Sequence, residues 1–231
     1  GLTSQGNLTT VNGCAADDVW AVYTAMQRRG VVMYSWALNA LLAEHGMPPQ
    51  PYEAMRPIAS HGARGLIRLG FGLDRDDSRF EGLRQRFLDL YDTHYADDTV
   101  LFDGVPELID GLARAGYGWG IVTNKPGFLT KPLLAALPEL ASCGVTVSAD
   151  TLPLRKPHPE PLWHACEQIG VAAKDCLYIG DHIRDIEAGR NAGMTTAIAA
   201  WGYIAENEHL TDWLADVEMA DPHRLLAWLS R

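Results

Sequence analysis

Cysteine is scarce in this sequence: Cys14, Cys143, Cys166 and Cys176 are the only four, and no two form a C-x-x-C pair. That scatter argues against a zinc cluster and against a dense disulfide framework. It predicts reduced thiols in a cytoplasmic protein. No apolar run approaches the ~18 residues a membrane span needs, and the first residues lack the charged-then-apolar form of a signal peptide. Cations are short as well: 19 Lys+Arg face 29 Asp+Glu, a formal charge of −10. Nucleic acid and anionic membranes reward clustered Lys and Arg, so neither is expected as a partner. A small anionic substrate stays compatible, because a few local cations and a metal override the global field. Internal repeats and low-complexity segments are also missing.

What is there belongs to an ordinary folded globule. Hydrophobic residues make up 47% and charged residues 21%, which separates the chain from disordered ones. At ~150 residues per domain, the length fits one large domain carrying a smaller insertion. From position 100 onward, helical periodicity over 104–115, 126–137, 159–169, 183–192 and 222–229 alternates with short apolar runs. Those runs, at 117–123, 145–148, 176–179, 195–200 and 216–219, read as strands. Such alternation predicts an α/β fold with a Rossmann-like parallel sheet covered on both faces. Residues 36–99 differ: Leu38, Leu41, Leu42, Leu66, Ile67, Leu83, Phe87 and Leu88 recur at helical spacing, and no strand candidate appears. The expected division is an atypical N-terminal segment (1–35), a helical insertion (36–99) and an α/β core (100–231). Within the first segment, residues 19–26 read as helix and 31–34 as a short strand.

Ligands of open α/β sheets bind beyond the carboxyl ends of the strands, so the residues after each strand matter most. Three places stand out. Thr123-Asn124-Lys125-Pro126 puts hydroxyl and amide groups beside the free N–H groups of a helix start, a natural anion cradle; Thr or Asn also serves there as a plain helix cap. Lys156, set between Arg155 and Pro157-His158-Pro159, is a charge on a stiff segment, although surface lysines are common. Gly180-Asp181-His182-Ile183-Arg184-Asp185 places a second carboxylate on the same helix face as the first, which suits a hard, oxygen-liganded cation such as Mg2+.

The order and spacing of these three segments resemble motifs two, three and four of the haloacid dehalogenase superfamily. Val122-Thr-Asn-Lys-Pro126, Arg155-Lys-Pro-His-Pro-Glu-Pro161 and Gly180-Asp-His-Ile-Arg-Asp-Ile-Glu-Ala-Gly189 look like the phosphoglycolate phosphatase branch. The helical stretch resembles that branch's inserted cap domain, and Ser60-His-Gly-Ala-Arg64 its substrate-facing loop. His61, Arg64 and Arg68 lie there one turn apart. The resemblance covers about residues 37–231. It implies Mg2+-dependent hydrolysis of a phosphate monoester on a small phosphorylated metabolite, through an aspartyl-phosphate. Thr123 and Asn124 would hold phosphoryl oxygens, and Lys156 would offset charge between nucleophile and phosphate. Asp181 would ligate Mg2+ with Asp185 supporting it one layer out or through water, and His61 and Arg64 would face the substrate. A sugar-phosphate substrate of the N-acetylmuramic acid 6-phosphate type is the alternative.

The family's first motif, an apolar strand ending Asp-x-Asp-Gly-Thr, supplies the nucleophile and the general acid/base. By the usual spacing it falls near residues 21–26, which read Ala-Val-Tyr-Thr-Ala-Met. Three readings stay open at this point. Residues 1–35, which begin at Gly1, are not the native N-terminus; or the chain is a pseudo-phosphatase that binds a phosphorylated ligand; or Asp17 or Asp18 is an unusual nucleophile.

Overall fold

Six short apolar runs build one parallel sheet. A computed structural model describes residues 20–23, 30–93 and 99–229 of the chain. The strands are β1 (Trp20–Tyr23), β2 (Trp119–Val122), β3 (Val145–Val147), β4 (Cys176–Gly180), β5 (Thr195–Ala199) and β6 (Val217–Met219). They lie in the order β3-β2-β1-β4-β5-β6, with every neighbouring pair parallel. Helices α5 (Val105–Arg114), α6 (Gly127–Ala135), α7 (Glu160–Ile169), α8 (Ile183–Ala192) and α9 (Pro222–Leu229) connect or follow them. The side-chain alternation of β4 shows why both faces need cover. Leu177 and Ile179 join the apolar core under α5 and α9, while Cys176 and Tyr178 join the core under α7 and α8. This is the expected α/β sheet, with all five expected strands and the helices between them.

Between β1 and α5 the described residues form a helical layer, with α1 (Gly30–Glu44), α2 (Tyr52–Met55), α3 (Gly62–Phe71) and α4 (Phe80–Asp92). These helices pack on a core of their own that includes Leu38, Leu41, Leu42, Leu66, Ile67, Phe87 and Tyr91. Leu129 of α6 enters the same core and ties the helical layer to the sheet. Among the described residues, no helix is long and apolar enough to cross a membrane.

The N-terminal elements reverse the sequence expectation. The strand lies at Trp20–Tyr23, inside the stretch read as helix, and residues 31–34, read as a strand, belong to α1. Four residues cannot display a helical or a strand period decisively. Tertiary context decides: Ala21–Tyr23 pair with β2 on one side and Trp20–Tyr23 with β4 on the other. Residues 31–34 instead continue into the helical series Ala37, Leu38, Leu41, Leu42, all buried, and that longer pattern overrides the β-branched Val31 and Val32.

Candidate active site

The candidate residues gather at the carboxyl ends of β2 and β4 and on the segment after β3. Val122, the last residue of β2, is a hub: its carbonyl accepts from Lys156 Nζ at 2.8 Å and from Tyr178 Oη at 3.2 Å. Thr123 follows, anchored by its N–H to the Val147 carbonyl (2.8 Å), and its Oγ1 accepts from the Lys125 N–H (3.1 Å). Asn124 Nδ2 donates to the Lys156 carbonyl at 3.0 Å, which binds the two loops together. The cradle at the start of α6 is already partly used, because the Gly127 N–H donates to Asp150 Oδ1 at 2.8 Å. Asp150 is a site neighbour that sequence reading missed. Its partner is distant in the chain, and nothing in the local pattern marks it.

Lys156, Asp181 and Asp185 are all buried. Lys156 Nζ stands 2.8 Å from Asp185 Oδ1 and 5.6 Å from the centre of the Tyr178 ring. The two side chains form a buried ion pair, the ammonium lying on one oxygen of the carboxylate. Burial pulls the Lys156 ammonium below its ordinary range, against the opposing pull of Asp185. Burial, then the neighbouring Asp185 carboxylate, pushes the Asp181 carboxyl up to about 6. Two buried carboxylates thus face one ammonium, and the excess negative charge on oxygen donors fits a hard divalent cation. Among the described residues, no three His, Cys, Asp or Glu side chains converge as a ready-made metal cluster.

Two glycines make this packing possible. A Cβ on Gly180 would stand 2.2 Å from Asp185 Cβ, and one on Gly202 would stand 2.2 Å from Asp181 Cβ. The loop after β5 can thus close on Asp181, and the Tyr203 N–H donates to Asp181 Oδ2 at 2.8 Å. Arg56, at the edge of the helical layer, reaches the same loop by donating from Nη2 to the Gly202 carbonyl at 3.4 Å. His182 caps α8, its Nδ1 accepting from the Arg184 N–H at 3.1 Å, and burial lowers its pKa to about 4.

A cleft of about 1760 Å3 separates this edge from the helical layer. His61 faces His182 across it, ring centres 5.0 Å apart and edge to face. Arg64 also lines the cleft, yet its guanidinium is engaged bidentately by Asp74, at 2.8 and 2.9 Å. So Thr123, Asn124, Lys156, Asp181 and Asp185 meet at one sheet edge, His61 approaches from across the cleft, and Arg64 is held by its own neighbour. Tyr23, the last residue of β1, is level with Ile121 and Ile179, each two residues before Thr123 and Asp181. The residue two beyond Tyr23 in sequence is Ala25, and no Asp or Glu occurs between Asp18 and Glu44. Residues 24–29, like Asp17 and Asp18, lie outside the described residues.

The architecture is a parallel α/β sheet with a helical layer above its carboxyl edge, and a Lys with two carboxylates at that edge. The chain belongs to the haloacid dehalogenase-like hydrolase family, whose pattern it matches over residues 33–199. It is 41% identical over 193 residues to the N-acetylmuramic acid 6-phosphate phosphatase of Pseudomonas aeruginosa, covering 84% of this chain and 85% of that one. It is equally 41% identical, over 187 residues and 81% of each chain, to a phosphoglycolate phosphatase of Xylella fastidiosa. Among solved structures, a predicted phosphoglycolate phosphatase from Haemophilus somnus shares the fold. Its TM-score is 0.80 at 20% identity, covering 94% of this chain and 99% of that one.

Proposed function

We propose that the cleft binds small phosphate monoesters together with Mg2+, in the manner of the phosphoglycolate phosphatase branch. We propose further that the sequence as it stands carries the binding half of the reaction without its nucleophile. The observation that carries this is the meeting of Thr123, Asn124, Lys156, Asp181 and Asp185 at one sheet edge, beside a strand, β1, after which the sequence has no carboxylate before Glu44. Asp181 and Asp185 would hold Mg2+, which supplies charge neutralisation to a phosphoryl group. The Thr123 hydroxyl and the Asn124 amide would donate to phosphoryl oxygens, and Lys156 would offset their charge. Helices α1–α4 act as the cap, with His61 reaching the substrate. 2-Phosphoglycolate is the first candidate ligand. A phosphorylated amino sugar is the second reading, favoured by the likeness to the N-acetylmuramic acid 6-phosphate phosphatase of Pseudomonas aeruginosa. We also infer a cytoplasmic setting, where thiols such as Cys143, Cys166 and Cys176 stay reduced.

The test is phosphate release from 2-phosphoglycolate and N-acetylmuramic acid 6-phosphate, with and without Mg2+. The expected result is no release above background while both compounds protect the protein from thermal unfolding. Turnover that Asp181→Asn abolishes would overturn the absent nucleophile and direct attention to Asp17 and Asp18.

A further inference from the structure

Lys125 directly follows Thr123 and Asn124, but its side chain turns away from the strand edge into the helical layer. Its Nζ donates to Tyr91 Oη at 2.8 Å and lies 4.8 Å from the centre of the Tyr91 ring and 5.3 Å from that of Tyr34. The two rings stack at 4.6 Å with a 30° tilt. Tyr34 stands near the start of α1 and Tyr91 in the last turn of α4. One ammonium thus joins the beginning of α1 to the end of α4, the first and last helices of the helical layer. Tyr91 is fully buried. Burial pushes its hydroxyl up to about 12 against the pull of Lys125, so it is a neutral phenol at working pH. Among the described residues, no carboxylate forms an ion pair with Lys125, whose charge rests on phenol oxygen and aromatic faces.

The backbone of the same residue performs a second task. The Lys125 N–H donates to Thr123 Oγ1 at 3.1 Å, while the Lys125 carbonyl accepts from the Ala149 N–H (3.0 Å) and from Thr130 Oγ1 (3.2 Å). A hydroxyl has one proton. With its oxygen accepting from the Lys125 N–H, the Thr123 hydroxyl keeps that proton for a further acceptor. We propose that Lys125 is a positioning residue: its amide orients the Thr123 hydroxyl toward a phosphoryl oxygen, and its ammonium fixes that loop to both roots of the helical layer. The proposal rests on the reading of Thr123 as a phosphate contact. It goes beyond that reading by assigning the coupling between helical layer and phosphate loop to a single side chain.

The experiment uses the full chain with Lys125→Met, Lys125→Arg and Tyr91→Phe. It reads two things: the affinity for inorganic phosphate in Mg2+, and amide exchange along the chain without ligand. Lys125→Met should weaken phosphate binding by about tenfold or more, the scale of a lost charge-assisted bond plus its aromatic contacts. Exchange over residues 123–131 should accelerate by a similar factor while β4 and β5 keep their protection. Lys125→Arg, whose guanidinium can lie on the same two rings, should recover most of both effects. Tyr91→Phe, which keeps the ring and loses the hydroxyl, should weaken binding by about two- to threefold. If Lys125→Met does not fold, the Arg and Phe variants decide the case by the same two readouts. Wild-type affinity and exchange in Lys125→Met would overturn the proposal. So would acceleration spread evenly over the sheet, which marks general destabilisation. If the wild type binds no phosphate, the reading of Thr123 fails, and local exchange alone decides the role of Lys125.

Discussion

At the scale of single residues, the site is a charge balance held by Lys156. Its ammonium is the cation that touches Asp185 and faces the excess charge of Asp181. Removing one partner of such a buried group costs far more than the pair contributes, because the remaining charge is left in an apolar setting. Lys156→Met should therefore lower stability by about 3–5 kcal/mol in denaturant unfolding, and adding Asp185→Asn should restore part of it. A loss under ~1 kcal/mol would mean that the carboxylates are better hydrated than the packing shows. Arg64 illustrates the opposite, exposed case. Its bidentate bond, then the Arg75 N–H, hold the Asp74 carboxyl down at about 2. A depressed carboxyl favours the folded state above its unfolded pKa and loses that contribution as pH falls toward about 2. Carbon NMR should show Asp74 titrating there, and Arg64→Ala should return it toward the ordinary carboxylate range. An unchanged titration would show that Arg64 is not its partner and is free to meet a ligand.

At the scale of elements, β1 is the part on which the fold turns. It fills the slot between β2 and β4, the two strands whose ends carry Thr123 and Asp181. Amides of β1 that bond to those neighbours should exchange as slowly as those of β4, in the ligand-free protein. Fast exchange there would mean that the central slot is held by something else. The helices from position 100 onward were legible because each repeats its period over enough residues, as in Leu108, Ile109 and Leu112 of α5, all buried, and the short strands because they alternate with those helices. The swap of helix and strand before residue 35 was not legible, because a four-residue run carries no usable period and its neighbours come from residues 119–121 and 176–179. The site divides the same way. Thr123, Lys156 and Asp181 announce themselves by following a strand or interrupting prolines. Asp150, Tyr203 and the Tyr34–Tyr91–Lys125 contact do not, since each depends on partners distant in the chain.

At the scale of the whole molecule, sheet edge and helical layer form the two walls of one cleft. His61 meets His182 across it, Arg56 meets the Gly202 carbonyl, and Lys125 meets Tyr91. Ligand binding at the edge should therefore stabilise the two layers together and raise the melting temperature as one transition. The measurement that tests this account most directly is a calorimetric titration of inorganic phosphate into the full chain, with and without Mg2+, beside Asp181→Asn. The account expects phosphate to bind in the presence of Mg2+, to bind far more weakly without it, and to lose the Mg2+ effect in Asp181→Asn. Phosphate binding indifferent to Mg2+ and to Asp181, or no binding by well-folded protein, would contradict it.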